Sequence, residues 1–147
     1  MQLTENVYLI GSGEIGLSNR FDCHVYLIDG GNDAIMIDCG VGIEPERLKQ
    51  NVEKVMEWSK VSRVICTHSH ADHAGGSTYF QQEGKEVWLS EVEYEWMQHK
   101  IDEVELALQL AINSGGYPEG YRFNYFEPDY LMKEEDRIKC GYLVLQP

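Results

Sequence analysis

The chain has 147 residues, with 25 Asp and Glu against 12 Lys and Arg, for a formal net charge of −13 at pH 7. Such a surface repels phosphates, which argues against nucleic acid or an anionic membrane surface as a partner. Hydrophobic residues make up 43% and charged residues 25%, the composition of a globular domain large enough to bury a sizeable core, and no run is long enough to span a membrane.

Val7 to Ile10 is a short apolar run closed by Gly11-Ser12-Gly13, so a strand and a turn. Gly11, Gly13 and Gly16 have dinucleotide-loop spacing, but the strand that soon follows leaves no room for the helix such a loop requires. His24 to Ile28 is a second strand. Asp29-Gly30-Gly31-Asn32-Asp33 is a hairpin turn, and Ala34 to Asp38 is a third strand leading into Cys39-Gly40. Pro45 suits the first turn of a helix. Leu48, Val52, Val55 and Met56 give that helix an apolar stripe to about Ser59. It crosses over to an apolar strand, Val61 to Cys66, so those strands share a sheet.

The next stretch, His68-Ser69-His70-Ala71-Asp72-His73-Ala74-Gly75-Gly76, holds three of the five histidines within six residues. It lies at the C-terminal end of a strand, where ligands and chemistry collect in open α/β sheets. His68 and His70 are two apart, so in extended chain they leave on the same side. Two imidazoles on one side can hold one divalent ion. Asp72 and His73 lie just beyond, where a turn aims them at a second ion nearby. Gly75 and Gly76 permit tight backbone.

A helix is predicted from about Gly76 to Gln82, then a strand from Glu86 to Leu89. Ser90 and Glu93 form a capping-box pattern. They open one helix from Glu91 to about Ile112, ended by Ser114-Gly115-Gly116, with Trp96, Val104, Leu108 and Ala111 on one face. His99 inside it reads as a surface histidine. The aromatic run from Tyr117 to Asp129 either walls a pocket or plugs a sheet edge. Tyr130-Leu131-Met132 reads as a strand, Glu134-Glu135-Asp136 as a turn and Tyr142 to Leu145 as a last strand. Cys23, Cys39, Cys66 and Cys140 are scattered without a Cys-x-x-Cys pair, so zinc-ribbon and thioredoxin readings fail. Free thiols and an N-terminus unlike a signal peptide predict a cytoplasmic location.

Thr67 to Gly76 resembles the signature of the metallo-β-lactamase-fold hydrolases, a group that includes glyoxalase II-like zinc enzymes. The strand, Gly-rich hairpin and strand ending in Ile37-Asp38-Cys39-Gly40 look like the opening of the same family. The resemblance implies an α/β (α+β) αββα sandwich, of which this chain is the N-terminal half: a mixed sheet with helices on one face and strands near Val7, His24, Ala34, Val61, Glu86 and Tyr142. It implies that His68 and His70 bind a first metal ion, and that Asp72 and His73 bind a second. Asp38 then orients a ligand through hydrogen bonds; the alternative is a strand-end turn residue. One or two zinc ions suit these donors best, with iron or manganese as alternatives. The implied chemistry is a metal-activated hydroxide attacking an ester- or thioester-type bond of a small-molecule substrate, with Asp72 as the catalytic carboxylate positioning it.

Residues 1–147 therefore read as a single, incomplete domain. No histidine follows His99, so the family's later metal ligands have no match, and Asp129 and Asp136 are not given a bridging role. The expectation is a fragment of a longer hydrolase, or a homo-oligomer or complementing chain that covers the open sheet face. Two other functions stay open. One is an iron-dependent oxidoreductase of the persulfide-dioxygenase kind, with the iron on His68 and His70. The other is a non-catalytic metal-binding half-domain that pairs with another chain.

Overall fold

The computed structural model describes all residues 1–147. Six strands form one mixed sheet in the order β1 (Val7–Gly11), β2 (Val25–Asp29), β3 (Ala34–Ile37), β4 (Val61–Ile65), β5 (Glu86–Ser90) and β6 (Tyr130–Met132). The first three are antiparallel hairpin neighbours, and the rest run parallel. The switch follows the connections: a short turn joins β2 to β3, whereas helix α1 (Pro45–Glu53) carries the chain across to β4.

Side-chain alternation splits the sheet into two apolar faces. Leu27, Met36 and Val64 point to one face, where Leu48 and Val52 of α1 and Phe80 of α3 (Ser77–Gln82) complete the main core. Ile35, Ile65 and Met132 point to the other, where Ile138 and Cys140 pack on them. Helices α1 and α3 thus pack on one face, as expected. The second face is not bare. A separate hairpin, β7 (Ile138–Cys140) with β8 (Leu143–Leu145), lies against it. Arg63 ties this hairpin down by bonding Asp33 at 2.8 Å and the carbonyl of Lys139.

Three sequence expectations need correction. The strand near Tyr142 does not join the main sheet; its edge position is taken by Tyr130–Met132, which pairs with β5, while the later strand pairs with β7. The crossover helix stops at Glu53, and a single 3-10 turn at Trp58–Lys60 replaces its predicted last stretch. The helix predicted from Glu91 to Ile112 is two, α4 (Glu91–His99) and α5 (Ile101–Asn113), broken at Lys100 with φ −118° and ψ 29°. No helix is long and apolar enough to cross a membrane.

Candidate metal centre

β4 ends at Ile65, and Thr67 to His70 follow without regular structure. Asp72 and His73 then lie in a single helical turn, α2 (Ala71–Ala74), rather than in a loop. Gly75 and Gly76 follow with ordinary negative φ. Their value is lack of bulk: a Cβ on Gly75 would meet the Val41 carbonyl oxygen at 2.3 Å, and one on Gly76 the Cys39 carbonyl oxygen at 2.4 Å. The motif can therefore press against the segment that follows β3.

Three imidazoles meet there. The rings of His68 and His70 are 4.5 Å apart and those of His68 and His73 are 4.0 Å apart. Nε2 of His73 lies 3.4 Å from Oδ2 of Asp72. Two donors each about 2.0–2.2 Å from one tetrahedral ion sit roughly 3.3–3.6 Å apart, so this pair spans one ion's coordination edge. The three rings and the Asp72–His73 pair are thus neighbours, but the set of three donor atoms lying within 4.8 Å of one another is Cys23, Asp38 and His73.

Asp38 stands directly behind the rings. It is the only non-glycine residue with positive φ, 64°, a conformation that costs free energy and persists where surroundings enforce it. Its carboxylate is buried and fully engaged. Oδ1 accepts from the Thr67 backbone N–H at 2.7 Å, and the Thr67 hydroxyl lies within 3.0 Å of both oxygens. Oδ2 meets Nδ1 of His73 at 2.8 Å. With its one proton donated to Asp38, Thr67 Oγ1 accepts from Nδ1 of His68, 2.9 Å away. Asp38 therefore sets the tautomer of His73 directly and that of His68 through Thr67, leaving both Nε2 lone pairs free for a ligand.

The electrostatics differ around the ring pair. Burial, then the nearby His73 and His70, hold His68 below the ordinary histidine value. For His73, burial pulls the same way, but the hydrogen bond and charge of Asp38 with the charge of Asp72 outweigh it, and the net shift is upward. In the metal-free chain His73 is expected to titrate above, and His68 below, an unperturbed histidine. Asp38→Asn should bring His73 down by removing the charge that raises it. Imidazole NMR titration checks both signs, and an unmoved His73 in Asp38→Asn would break the assignment.

Three further contacts escape a reading of the motif alone. Glu93 Oε1 accepts from the N–H and hydroxyl of Ser69 at 2.9 and 2.7 Å, pinning the backbone between the two histidines. Only half of the predicted capping box forms: Ser90 Oγ accepts from Glu93 N–H at 3.1 Å, and the Glu93 carboxylate goes to the motif instead. Tyr117 donates its hydroxyl proton to Asp72 Oδ1 at 2.9 Å and accepts from the Asp72 N–H at 3.3 Å. Burial, then Asp72, push its pKa well up, so it stays a neutral donor. Cys23, with Asp38 and His73, places donor atoms within 4.8 Å of one another. Burial and the carboxylates of Asp38, Asp72 and Asp22 raise its thiol pKa, so it stays protonated in the metal-free chain. No sequence signal marks Cys23, because its spacing reports no neighbour, and Thr67 opens the motif without its bonds to Asp38 and His68 being readable from the chain. The exposed His99 is remote in sequence from the cluster and is not among its contacts.

Comparisons with known proteins agree with this architecture. The structure superposes on BJP-1, a subclass B3 metallo-beta-lactamase of Bradyrhizobium japonicum, with a TM-score of 0.71 and 23% identity, covering 99% of this chain and 49% of that one. FEZ-1 metallo-beta-lactamase from Legionella gormanii gives 0.70 and 20%, over 96% of this chain and 48% of the other. In sequence, ribonuclease Z of Borreliella afzelii is 36% identical over 72 residues, which is 48% of this chain and 21% of that protein. Lactamase-like protein aptB of Emericella nidulans is 33% identical over 76 residues, 50% of this chain and 24% of its own length. The chain thus spans about half of the solved structures and about a fifth to a quarter of the curated relatives it matches. These relatives carry hydrolase names, and the fold is one that implies metal ions. The profile of the Metallo-beta-lactamase superfamily matches residues 18–141, and the chain belongs to that superfamily.

Proposed function

We propose that this chain supplies the ligand-rich half of a zinc-dependent hydrolase that cleaves an ester- or thioester-type bond in a small molecule. His68 and His70 hold one ion, and Asp72 with His73 a second; iron or manganese suit the same donors less well. When bound, the metal lowers the pKa of a coordinated water toward neutrality and makes hydroxide available. Tyr117 holds Asp72 Oδ1 and so aims Oδ2 at the ion beside His73 Nε2, from where Asp72 would position the attacking water. Asp38 and Thr67 hold the rings, and Glu93 holds the backbone between them.

One observation carries the reading: Asp38 occupies Nδ1 of His73 while Nε2 faces Asp72 at 3.4 Å, the spacing of two ligands on one ion. A small molecule is preferred over RNA, despite the likeness to ribonuclease Z, because the net charge is −13 and an apolar cavity adjoins His70. The four free thiols suit a reducing compartment, so we place the protein in the cytoplasm.

The remaining ligands of each ion come, in this proposal, from outside residues 1–147, either from a continuation of the chain or from a partner. The partner surface is the sheet face that bears the β7–β8 hairpin, where Tyr142 and Val144 are 67% and 61% exposed. Light scattering of this chain is expected to show self-association that rises with concentration. A monomer at high concentration that binds no hydrophobic dye would count against a covered face.

Zinc titration beside thioester hydrolysis, run on this chain and on one carrying the second half of the fold, tests the function. Metal-dependent turnover by the longer form supports it. Turnover only with iron and oxygen uptake would replace hydrolysis with oxidation.

A further inference from the structure

Helix α5 is rich in Leu, Ile, Val and Ala, yet none of its residues is buried. Leu106 and Leu110 face outward at 62% and 61% exposure. Val104, Leu108 and Ala111 face the other way, at i, i+4 and i+7, and form one wall of a cavity of about 240 Å³. Trp96 of α4 and Phe123 of the aromatic loop add further walls. No Asp, Glu, Lys or Arg lines it. The apolar stripe of α5 is thus turned onto empty space instead of the core, which an amphipathic helix in a finished core does not do.

The cavity is continuous with the metal centre. Ser69, His70 and Ala71 line it, as does Tyr117, whose hydroxyl holds Asp72. A group lying in it is therefore joined to whatever reacts beside His70. The cavity exceeds the roughly 150 Å³ void that accepts a benzene ring. Val104 to Ala111 spans seven residues, a strip roughly 10 Å long at 1.5 Å per residue. That shape suits an extended chain better than a single ring.

We infer that the cavity between α5 and the His70–Tyr117 edge is an acyl-chain subsite, and that the substrate is an ester or thioester of a medium-length, unbranched aliphatic acid. This inference rests on the hydrolase reading for the reacting bond, while the cavity alone decides the chain.

The test uses unbranched carboxylates from acetate to decanoate as probes of the 147-residue chain, with and without excess zinc, the chain-length trend being expected in both. Binding is read by calorimetry and by tryptophan fluorescence, since Trp96 lines the cavity. Affinity is expected to rise about fourfold per methylene until the cavity is full, then to level off. Trp96→Phe should abolish the fluorescence change but leave the calorimetric trend. Ala111→Trp, which fills the cavity, and Val104→Gln, which makes its wall polar, should each flatten the trend, with melting curves confirming that both fold. Flat affinity from acetate to decanoate in the native chain overturns the subsite, as does an unchanged trend in two folded variants. The outcomes separate cleanly: a chain-length trend without hydrolysis by the longer form removes only the hydrolase reading. Hydrolysis indifferent to chain length removes only the subsite.

Discussion

Replacing His68 or His70 with Ala is expected to weaken zinc binding by this chain more than about a hundredfold. Losing a residue that only orients a ligand costs roughly tenfold to a hundredfold, and on the proposed assignment these variants remove a donor itself. Asp38→Asn keeps a hydrogen-bonding side chain suited to positive φ but loses the charge on Nδ1 of His73, so it should fall within that tenfold-to-hundredfold range. Competition with a chromophoric chelator measures all three. Binding by the unaltered chain is itself expected to be weak, and its thioester hydrolysis near background, because the proposed assignment gives each ion only two ligands where a catalytic zinc normally has three. Tight stoichiometric zinc with full turnover in the 147-residue chain would mean that the ligand set lies wholly within it, and would redirect attention to Cys23, the nearest unassigned donor.

Phe80→Ala should be the most destabilising of the single core truncations. Phe80 is fully buried, with its ring 5.9 Å from Trp58 and 5.1 Å from Tyr79. Truncating such a ring removes its transfer free energy and leaves a cavity, at a cost of about 3–5 kcal/mol. For a chain of this size that is a fall in melting temperature of roughly 10–16 °C. Leu106→Ala, at 62% exposure, is the control and should change stability by no more than about 0.5 kcal/mol. Urea denaturation of both variants checks the contrast, and equal midpoints would show that α3 does not anchor the core. Phe80 follows the motif by only a few residues, so its loss should also loosen α2 and weaken metal binding secondarily.

The secondary structure around the site was legible because its signals are local. The apolar runs Val25–Asp29 and Ala34–Ile37 on either side of a Gly-rich turn, and the Leu48–Val52 stripe after Pro45, are signals of single elements. The apolar run at Val61–Ile65 likewise placed the strand that leads to the histidines after that crossover. The motif itself was legible because its donors lie within six residues.

Elsewhere local rules competed with contacts that leave no local trace. Ser90 and Glu93 carry a capping signal, yet a partner for the carboxylate exists 24 residues away at Ser69, and that tertiary bond wins. Lys100 breaks the long helix without Gly or Pro to announce it. Tyr130–Met132 and Leu143–Leu145 are equally short apolar runs. Which one joins the main sheet depends on the backbone edge of β5, not on either run's side chains.

By itself, then, the sequence determined a strand-end cluster of His68, His70, Asp72 and His73 on a mixed α/β sheet. Only the tertiary structure decided that Asp38, 35 residues before His73, fixes that ring, that Tyr117, 45 residues after Asp72, fixes that carboxylate, and that α5 turns its apolar stripe onto a cavity. The reason is physical. Periodicity records which face of an element is apolar, but a hydrogen bond between distant segments requires only one donor and one acceptor brought within about 3 Å by packing, and that leaves no pattern along the chain.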